Sequence, residues 1–536
     1  VIYGLRDFSP THQVYWASTY DTKTEGVLGV RVGGVDYTGD TLNASNGYNG
    51  NVTGVAGEYQ MLLDGEPVSG ATGTTPAFPA DGDEFDILFI ADSEPISSRN
   101  AFDLIRAREP NAKLVVAEEM YYLDSGLGGG AMYGAANAWP GGGDQSSENP
   151  SALAALLEGD ETNVGFRGKY VAQFQTHPDR QAFWAKYPMI DLADNHQFGA
   201  SLGSGWYTPA LATGPGGVAY DAAWTAYQEW CQKGWPKATG DVDSEPAPLG
   251  YFSKKIGPLL IIALDQRAYD FIGGRNLHSA SWGEIKQPGW VIDQIQNTDA
   301  DYIMLISVSP IDANMGSWVN ATNTITDAIN ESAKTIFCMT GDMHAPWARM
   351  IYEDVPDRPM FEIGCSPCSP TKGTAVFAPF AGDQFLFTKV HHGTVLAQEL
   401  APTDTAVVVE DTAMMSDPLN DNLQRLYTGT APLKAMLIDS INHETKTVAL
   451  TGAVGGTTTY PVGTLIWFHT VHDENHVDAA PPHLNIYYTK ITVNAERIRF
   501  RMYEVFTDYP ILDVYIRNGE RLPHPSQRGA FPVSGL

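Results

Sequence analysis

Short apolar runs rich in β-branched residues, broken by turn-forming residues, set the pattern of this chain from residue 85 onward. Phe85-Asp86-Ile87-Leu88-Phe89-Ile90 and Lys113-Leu114-Val115-Val116-Ala117 read as buried strands, and Arg99 to Arg108 between them carries helical periodicity. Leu259 to Leu264, Ile303 to Ser307 and Ile336 to Met339 predict further core strands. Trp290 to Gln296 and Asn323 to Ser332 predict helices between them. Strand–helix–strand alternation implies an α/β core.

The pattern differs on either side of that core. Residues 1–80 alternate short strand patterns with Gly, Asn and Asp turns, as in Gln13-Val14-Tyr15-Trp16-Ala17 and Gly29-Val30-Arg31-Val32, and predict a small β-sandwich. Gly70 to Gly82 reads as a linker, and the glycine-rich stretch Ser125 to Pro150 as a long loop of the kind that covers a sheet edge. Near residue 390 the helices stop. Thr394 to Ala397, Thr405 to Val409, Ala435 to Ile438, Thr447 to Leu450 and Thr464 to Trp467 predict a compact β module. Long strands return at Asn485 to Tyr488 and Arg497 to Met502, so the module reads as an insertion. The expected domains are 1–80, 81–388, 389–477 for the insertion, and 478–536 completing the core.

Several predicted strands end in polar residues of one chemical kind. Thr335 to Thr340 runs into Gly341-Asp342-Met343-His344, and Tyr187-Pro188-Met189-Ile190-Asp191-Leu192-Ala193 runs into Asp194-Asn195-His196. Asp92 follows Phe89-Ile90-Ala91, and Glu118 and Glu119 follow Val116-Ala117. Oxygen donors and imidazoles at the ends of several strands can hold two metal ions about 3.5–4 Å apart. Such a pair polarises a phosphoryl group and makes a hydroxide nucleophile near neutral pH. Taken singly, each of these residues is an ordinary strand-end cap or turn former; the argument rests on the set and its order.

Composition narrows the function. The 63 acidic residues against 33 Lys and Arg give a formal net charge of -30, which disfavours nucleic-acid binding and favours divalent cations. No apolar run reaches the about 20 residues of a membrane span, and Val1-Ile2-Tyr3-Gly4 lacks the pattern of a retained signal peptide. An extracellular protein is the expectation. Of the four cysteines, Cys365 and Cys368 form a C-x-x-C, read as a local disulfide or two buried thiols rather than a zinc site, which would need two more ligands. His469, His472, His476 and His483 read as a polar hinge, and His391-His392 as the other junction of the inserted module.

The order of these segments resembles the PhoD-like alkaline phosphatases of the calcineurin-like metallophosphatase superfamily. Asp194-Asn195-His196-Gln197 resembles that family's D-D-H-E, and Gly341-Asp342-Met343-His344 its G-D-x-H. Leu264-Asp265-Gln266-Arg267-Ala268-Tyr269 is similar to its L-D-x-R-x-Y, and Gln287-Pro288-Gly289-Trp290 to its Q-x-x-W. The resemblance implies a four-layer αββα metallophosphatase sandwich behind an N-terminal β-sandwich, with an inserted small β domain. It implies metal ligation by Asp342, His344 and Asn195, with His196 stabilising or protonating the phosphoryl group. Glu119 and Tyr122 would stand for a bridging Asp and a Tyr ligand, and Asp92 for a Cys ligand. The expected cofactors are two or more Ca, Fe, Mn or Mg ions, since Asp in place of Cys hardens the site. Glu for Asp at the bridge and Gln197 for a carboxylate are departures that weaken or abolish activity in the competing reading. The inserted module resembles small β modules of bacteriophage tail proteins. Two functions follow. The strand-end residues and the first resemblance imply a metal-dependent phosphoesterase acting on a phosphomonoester or on a phosphodiester-linked envelope polymer. The second resemblance implies a virion-associated or tail protein that keeps the fold for shape and binds sibling subunits.

Overall fold

The computed structural model describes residues 2–6, 12–17, 24–43, 49–55, 57–80, 82–93, 101–118, 120–121, 157, 165–168, 170–171, 178–193, 197, 218–232, 251–264, 287–308, 327–341, 347–351, 360–365, 384–388, 391–410, 412, 425–428, 435–469, 487–505, 510–520 and 524–525. Over these residues the protein has a sheet-rich α/β fold with few helices.

The first seven strands form two antiparallel sheets. Strands β1 (Ile2–Arg6), β2 (His12–Ala17) and β5 (Asn49–Val55) make one, in the order β1-β2-β5. Strands β3 (Gly26–Val32), β4 (Val35–Leu42), β6 (Glu58–Leu63) and β7 (Glu66–Thr74) make the other, in the order β4-β3-β6-β7. Leu5 and Val52 from the first pack with Leu28, Val30 and Met61 from the second. Of the stretch expected to be a linker, Gly70 to Gly82, the part up to Thr74 is instead the end of β7, because its glycines serve the strand, while residues 75–80 carry neither helix nor strand. Gly70 takes a left-handed φ of 74°, and Gly73 leaves room for the Tyr59 ring, where a Cβ would collide.

Two seven-stranded sheets follow. The first contains three parallel strands, β8 (Phe85–Ala91), β9 (Leu114–Glu118) and β10 (Met189–Leu192). The chain comes back to it about 400 residues later with β24 (Tyr487–Val493), antiparallel to β8, and β25 (Arg497–Glu504), β26 (Pro510–Arg517) and β27 (His524–Pro525) extend that edge. The second sheet is built on parallel β12 (Leu259–Ala263), β13 (Tyr302–Ser307), β14 (Thr335–Thr340) and β16 (Met360–Gly364). Its antiparallel edges are β11 (Phe252–Ile256), and β15 (Trp347–Ile351) with β17 (Gln384–Thr388).

Alternation along these strands divides the core. Phe89, Val116, Ile190, Ile261, Met304, Phe337, Ile491 and Phe500 belong to one cluster shared by both sheets. The intervening residues of the first sheet, such as Leu88, Ile90 and Val115, pack on helices α1 (Ala101–Arg108), α2 (Pro178–Lys186) and α3 (Val218–Tyr227), the last running into a π-helical turn at Gln228–Gln232. Those of the second sheet, such as Ile262, Leu305 and Cys338, pack on α4 (Gln287–Asn297) and on the helical residues 327–331. Parallel strands covered on both faces are apolar at most positions, which is why several were legible as near-continuous runs.

Strands β18 (His391–Val395), β19 (Ala406–Val408), β20 (Arg425–Thr428), β21 (Ala435–Asn442), β22 (Thr447–Leu450) and β23 (Leu465–His469) form a separate six-stranded sheet with its own core around Leu396, Val407, Leu426, Val448 and Ile466. His469 closes β23 opposite His391 of β18, so it belongs to a strand pair rather than to a hinge loop. His472, His476 and His483 lie outside the described residues, as do Ser125 to Pro150.

One buried polar cluster locks β24 against β8. Lys490 Nζ lies 2.6 Å from Glu109 Oε2 and 2.9 Å from Asp86 Oδ2. Tyr488 donates to Glu109 Oε1 at 3.0 Å, and Tyr187 donates to the Glu109 carbonyl at 2.8 Å. Burial pulls the Lys490 ammonium down, yet its bonds and attraction to Glu109 and Asp86 outweigh this and raise it above its ordinary value. Burial, with Glu109 alongside, raises the Tyr187 and Tyr488 phenols as well. A group with a raised folded pKa contributes fully below its unfolded value and loses that contribution as pH rises through the folded one. Stability should therefore fall above about pH 10. Lys490→Met should cost about 2 kcal/mol at pH 7, less than a fully buried pair because the ammonium is partly screened, and should make the alkaline decline shallower. Urea unfolding from pH 7 to 11 measures both; an unchanged slope would mean that the cluster does not govern alkaline stability.

Candidate functional site

The shared core between the two sheets ends, at the C-terminal ends of the parallel strands, in polar residues. On β8 the inward positions are Phe85, Ile87, Phe89 and Ala91, and on β9 they are Leu114 and Val116. The next inward position on β9 is Glu118. On β14, Phe337 and Met339 face inward and the next such position is Gly341. Glu118 is completely buried, and its carboxylate fills the space in which a side chain at 341 would begin. Ala91 Cβ stands only 2.9 Å from the same point. Three strand ends from two sheets thus meet around one carboxylate. Gly341 is required there for want of space, since its φ is not left-handed.

Asp92 follows Ala91 directly. It is fully buried and sits in the left-handed region at φ 51°. Aspartate tolerates that region better than most residues, but still at a cost of about 1–2 kcal/mol, and such strain gathers at functional positions. Its amide donates to the Glu118 carbonyl at 3.0 Å, so the backbones leaving β8 and β9 are tied together where their carboxylates begin. Cys365, just past β16, closes the opposite side: its amide donates to the Thr340 carbonyl at 3.1 Å, and its thiol lies 3.8 Å from the Phe89 carbonyl of the other sheet. Cys231, Cys338 and Cys365 are buried free thiols, so the C-x-x-C holds no disulfide through Cys365.

Sequence reasoning named seven site residues, and the described structure holds one of them. Asp92 lies at the seam. Glu119, Tyr122, Asn195, His196, Asp342 and His344 lie outside the described residues, although Glu118, Tyr121, Ala193, Gln197 and Gly341 beside them are described. Gln197 is fully buried. Glu118, the last residue of β9, faces the seam with its side chain. The alternation of Leu114, Val116 and Glu118 carried that signal. Tyr121 belongs to the helix-covered face, packed edge-on to Tyr170 with ring centroids 5.0 Å apart.

Further polar groups lie behind these strand ends and were not anticipated. Arg180 of α2 is 1% exposed. It donates to the Met120 carbonyl at 2.9 Å, to the Ser93 carbonyl at 2.7 Å and to Ser93 Oγ at 2.5 Å. Asp191 of β10 accepts from the Met120 amide at 3.4 Å and from the Cys231 thiol at 3.1 Å. Tyr227 of α3 donates to the Asp191 carbonyl and accepts from the Ala193 amide, each at 2.9 Å. Burial, with Cys231 and Asp191 nearby, pushes the Tyr170 phenol well above its ordinary value, so it stays neutral beside this network. Among the described residues no three His, Cys, Asp or Glu side chains are grouped closely enough to hold a metal ion.

The class defined by this geometry is a sheet-rich α/β fold whose two main sheets meet at polar strand ends. The solved structure of PhoD is similar to it: the TM-score is 0.51, over 99% of this chain and 93% of that chain, at 13% sequence identity. At that identity the likeness is one of fold. No protein-family model matches the chain, and no curated protein matches it by sequence. Among the described residues no helix is long and apolar enough to cross a membrane.

The close approach of Glu118 to Gly341 makes a direct test. Gly341→Ala should destabilise by about 1–3 kcal/mol through overpacking. Glu118→Ala in the same chain should recover most of that loss, and the two changes should couple strongly in a double-mutant cycle. Urea unfolding supplies the four stabilities; simple additivity would mean that the two residues do not share the space.

Proposed function

We propose that the protein is a metal-dependent phosphoesterase whose site lies at the strand ends between the two seven-stranded sheets. The observation that carries the reading is the completely buried Glu118 carboxylate against Gly341, the residue that leads into Asp342 and His344, with buried Asp92 tied to Glu118 through its backbone amide. The likeness in fold to PhoD supports it. So does the order of the Asp194-Asn195-His196 and Gly341-Asp342-Met343-His344 segments along the sequence.

The donor chemistry fits hard cations: carboxylates of Asp92, Glu118 and Asp342, the Asn195 amide and the His344 imidazole. In this reading Glu118 takes the bridging role first given to Glu119, since its side chain faces the seam. The ions, when bound, would polarise the phosphoryl group and lower the pKa of a water molecule. The chain's own part is to hold those donors, to exclude bulk water through the apolar core beneath them, and to offer His196 for proton transfer to the leaving oxygen. Harder donors than Cys favour Ca, Mg, Mn or ferric iron.

In the same reading the two sheets and their flanking helices are the four-layer αββα sandwich of the PhoD-like enzymes, with the sheets of residues 1–80 in front. Residues 389–477 are then an inserted module and 478–536 complete the core. The separate core of the six-stranded sheet favours a further role for that module in adhesion or assembly, as in a phage virion with sibling subunits or an envelope polymer as partner. Such a role can accompany catalysis or replace it, and the protein would then work outside the cell.

Metal content of protein purified without chelator is the test, by inductively coupled plasma mass spectrometry. One or two ions per chain are expected, lost in Asp342→Ala/His344→Ala and reduced in Glu118→Gln. Wild type should hydrolyse a phosphomonoester or a phosphodiester, with kcat at least a hundredfold lower in each variant. No stoichiometric metal, and no hydrolysis with added Mg, Ca, Mn or ferric iron, would overturn the reading and leave the assembly role.

A further inference from the structure

Three segments leave β8, β9 and β10 at the seam, and one continuous set of hydrogen bonds, all buried except the part-buried one at Ala193, joins them from behind. Ser93 stands just past β8, Met120 just past β9, and Ala193 just past β10. Arg180 holds the first to the second through the Ser93 carbonyl, Ser93 Oγ and the Met120 carbonyl. The Met120 peptide passes the constraint on, because its amide donates to Asp191. Tyr227 then joins the Asp191 carbonyl to the Ala193 amide, one residue before Asp194-Asn195-His196. The Cys231 thiol donates to the other Asp191 oxygen from the π-helical turn, the kind of helix irregularity that turns a side chain to a special use.

We propose that Arg180 is a positioning residue, and that with Asp191 and Tyr227 it makes the three strand-end segments a single rigid unit that presents the metal-holding residues. This deepens the phosphoesterase reading and rests on it for its catalytic consequence. The choice of arginine fits the task. Its planar fork reaches acceptors on two segments at once and stays charged when buried, which a lysine does not reproduce. Its guanidinium is further fixed over the Phe102 ring of α1, at 5.2 Å from the centroid. The helix that carries it is itself braced on its other side by the N-terminal sheets. Gln181 donates to the Tyr3 carbonyl at 2.5 Å, Tyr59 donates to the Ala185 carbonyl at 3.2 Å, and Trp184 lies so close to Gly4 that a Cβ there would strike its ring. Helix α2 is therefore a strut between the first domain and the site. Groups behind metal ligands that are held in this way typically matter ten- to a hundredfold for affinity or activity.

The test compares wild type, Arg180→Lys and Tyr227→Phe in the full chain. Tyr227→Phe removes only a hydroxyl and is the variant that decides if Arg180→Lys does not fold. Amide hydrogen exchange read by mass spectrometry comes first, because it needs neither metal nor activity. Peptides containing Ser93, Met120 and Ala193 should lose protection together in each variant, while peptides from β13 and β14 keep theirs. Titration with Mn²⁺ alone should show at least tenfold weaker binding in Arg180→Lys. On p-nitrophenyl phosphate, kcat per folded molecule, with the folded fraction fixed by circular dichroism, should fall ten- to a hundredfold with KM changed by less than about threefold. Exchange confined to the peptide that carries the substitution, or wild-type Mn²⁺ affinity and kcat in a variant that has lost the bonds, would overturn the proposal. If wild type neither binds Mn²⁺ nor hydrolyses phosphoesters, the phosphoesterase reading fails, and joint loss of protection still decides whether the three segments are one unit.

Discussion

Everything at the seam follows from the two-residue alternation of strands that face a second sheet. Between the sheets, inward positions on β8, β9 and β14 must be apolar to be buried, and they are, from Phe85 to Ala91, from Leu114 to Val116 and from Phe337 to Met339. The rule gives way at the strand ends. There the inward series continues into Glu118 and Gly341, and Asp92 bends out of β8 with a left-handed backbone. A carboxylate at such a depth is costly unless it is bonded or faces a cation. Its presence on the same face as Val116 is a local exception to the pattern that built the fold. Such exceptions mark functional sites more often than packing errors.

The position of that exception depends on the far end of the chain and on the near end. Strand β24 returns to pair with β8 along Thr489 to Val493 and is fixed by Lys490 between Asp86 and Glu109. Without that pairing β8 would be an edge strand, and the seam would open on its flank. From the other direction, the N-terminal sheets bear on α2 through Tyr3, Gly4 and Tyr59, and α2 carries Arg180 to the segments after β8 and β9. The parts of the protein that contribute nothing to the seam therefore decide where Asp92, Glu118 and the Met120 peptide stand.

Much of this was legible in the residues. Parallel β8, β9, β10, β12, β13 and β14 were legible because burial on both faces leaves long apolar runs, interrupted inside the strands only by Asp86 and Asp191, whereas β16 was not foreseen; α1 and α4 were legible because their periodicity is clean. The strands around residue 70 were missed because glycines that serve a twisted strand look like a linker until Tyr59 is seen beside Gly73. Helices α2 and α3 carry too many polar or small residues to announce themselves. Their polar groups turn inward, and inward polar groups break the very pattern by which helices are read. At the site, Asp92 was legible from its place after an apolar run. Glu119 was chosen from its spacing to Tyr122, although Glu118 stands at the same interval before Tyr121. The inward parity of Leu114 and Val116 adds Glu118 as a residue that faces the seam.

Arg180, Asp191 and Tyr227 could not have been found from sequence, for a physical reason. Each acts largely on main-chain amides and carbonyls of segments far away in the chain, and a backbone partner leaves no trace in residue type. Yet these bonds are what a site of this design needs. Donors that sit at strand ends are held on one side only, by the sheet, and the segments beyond are free to splay unless something holds them from behind. A buried arginine meets that need for two segments at once, and the Met120 peptide, bonded through both its amide and its carbonyl, extends it to a third. The cost of burying a guanidinium is offset by its charge-assisted hydrogen bonds to the Ser93 carbonyl, Ser93 Oγ and the Met120 carbonyl.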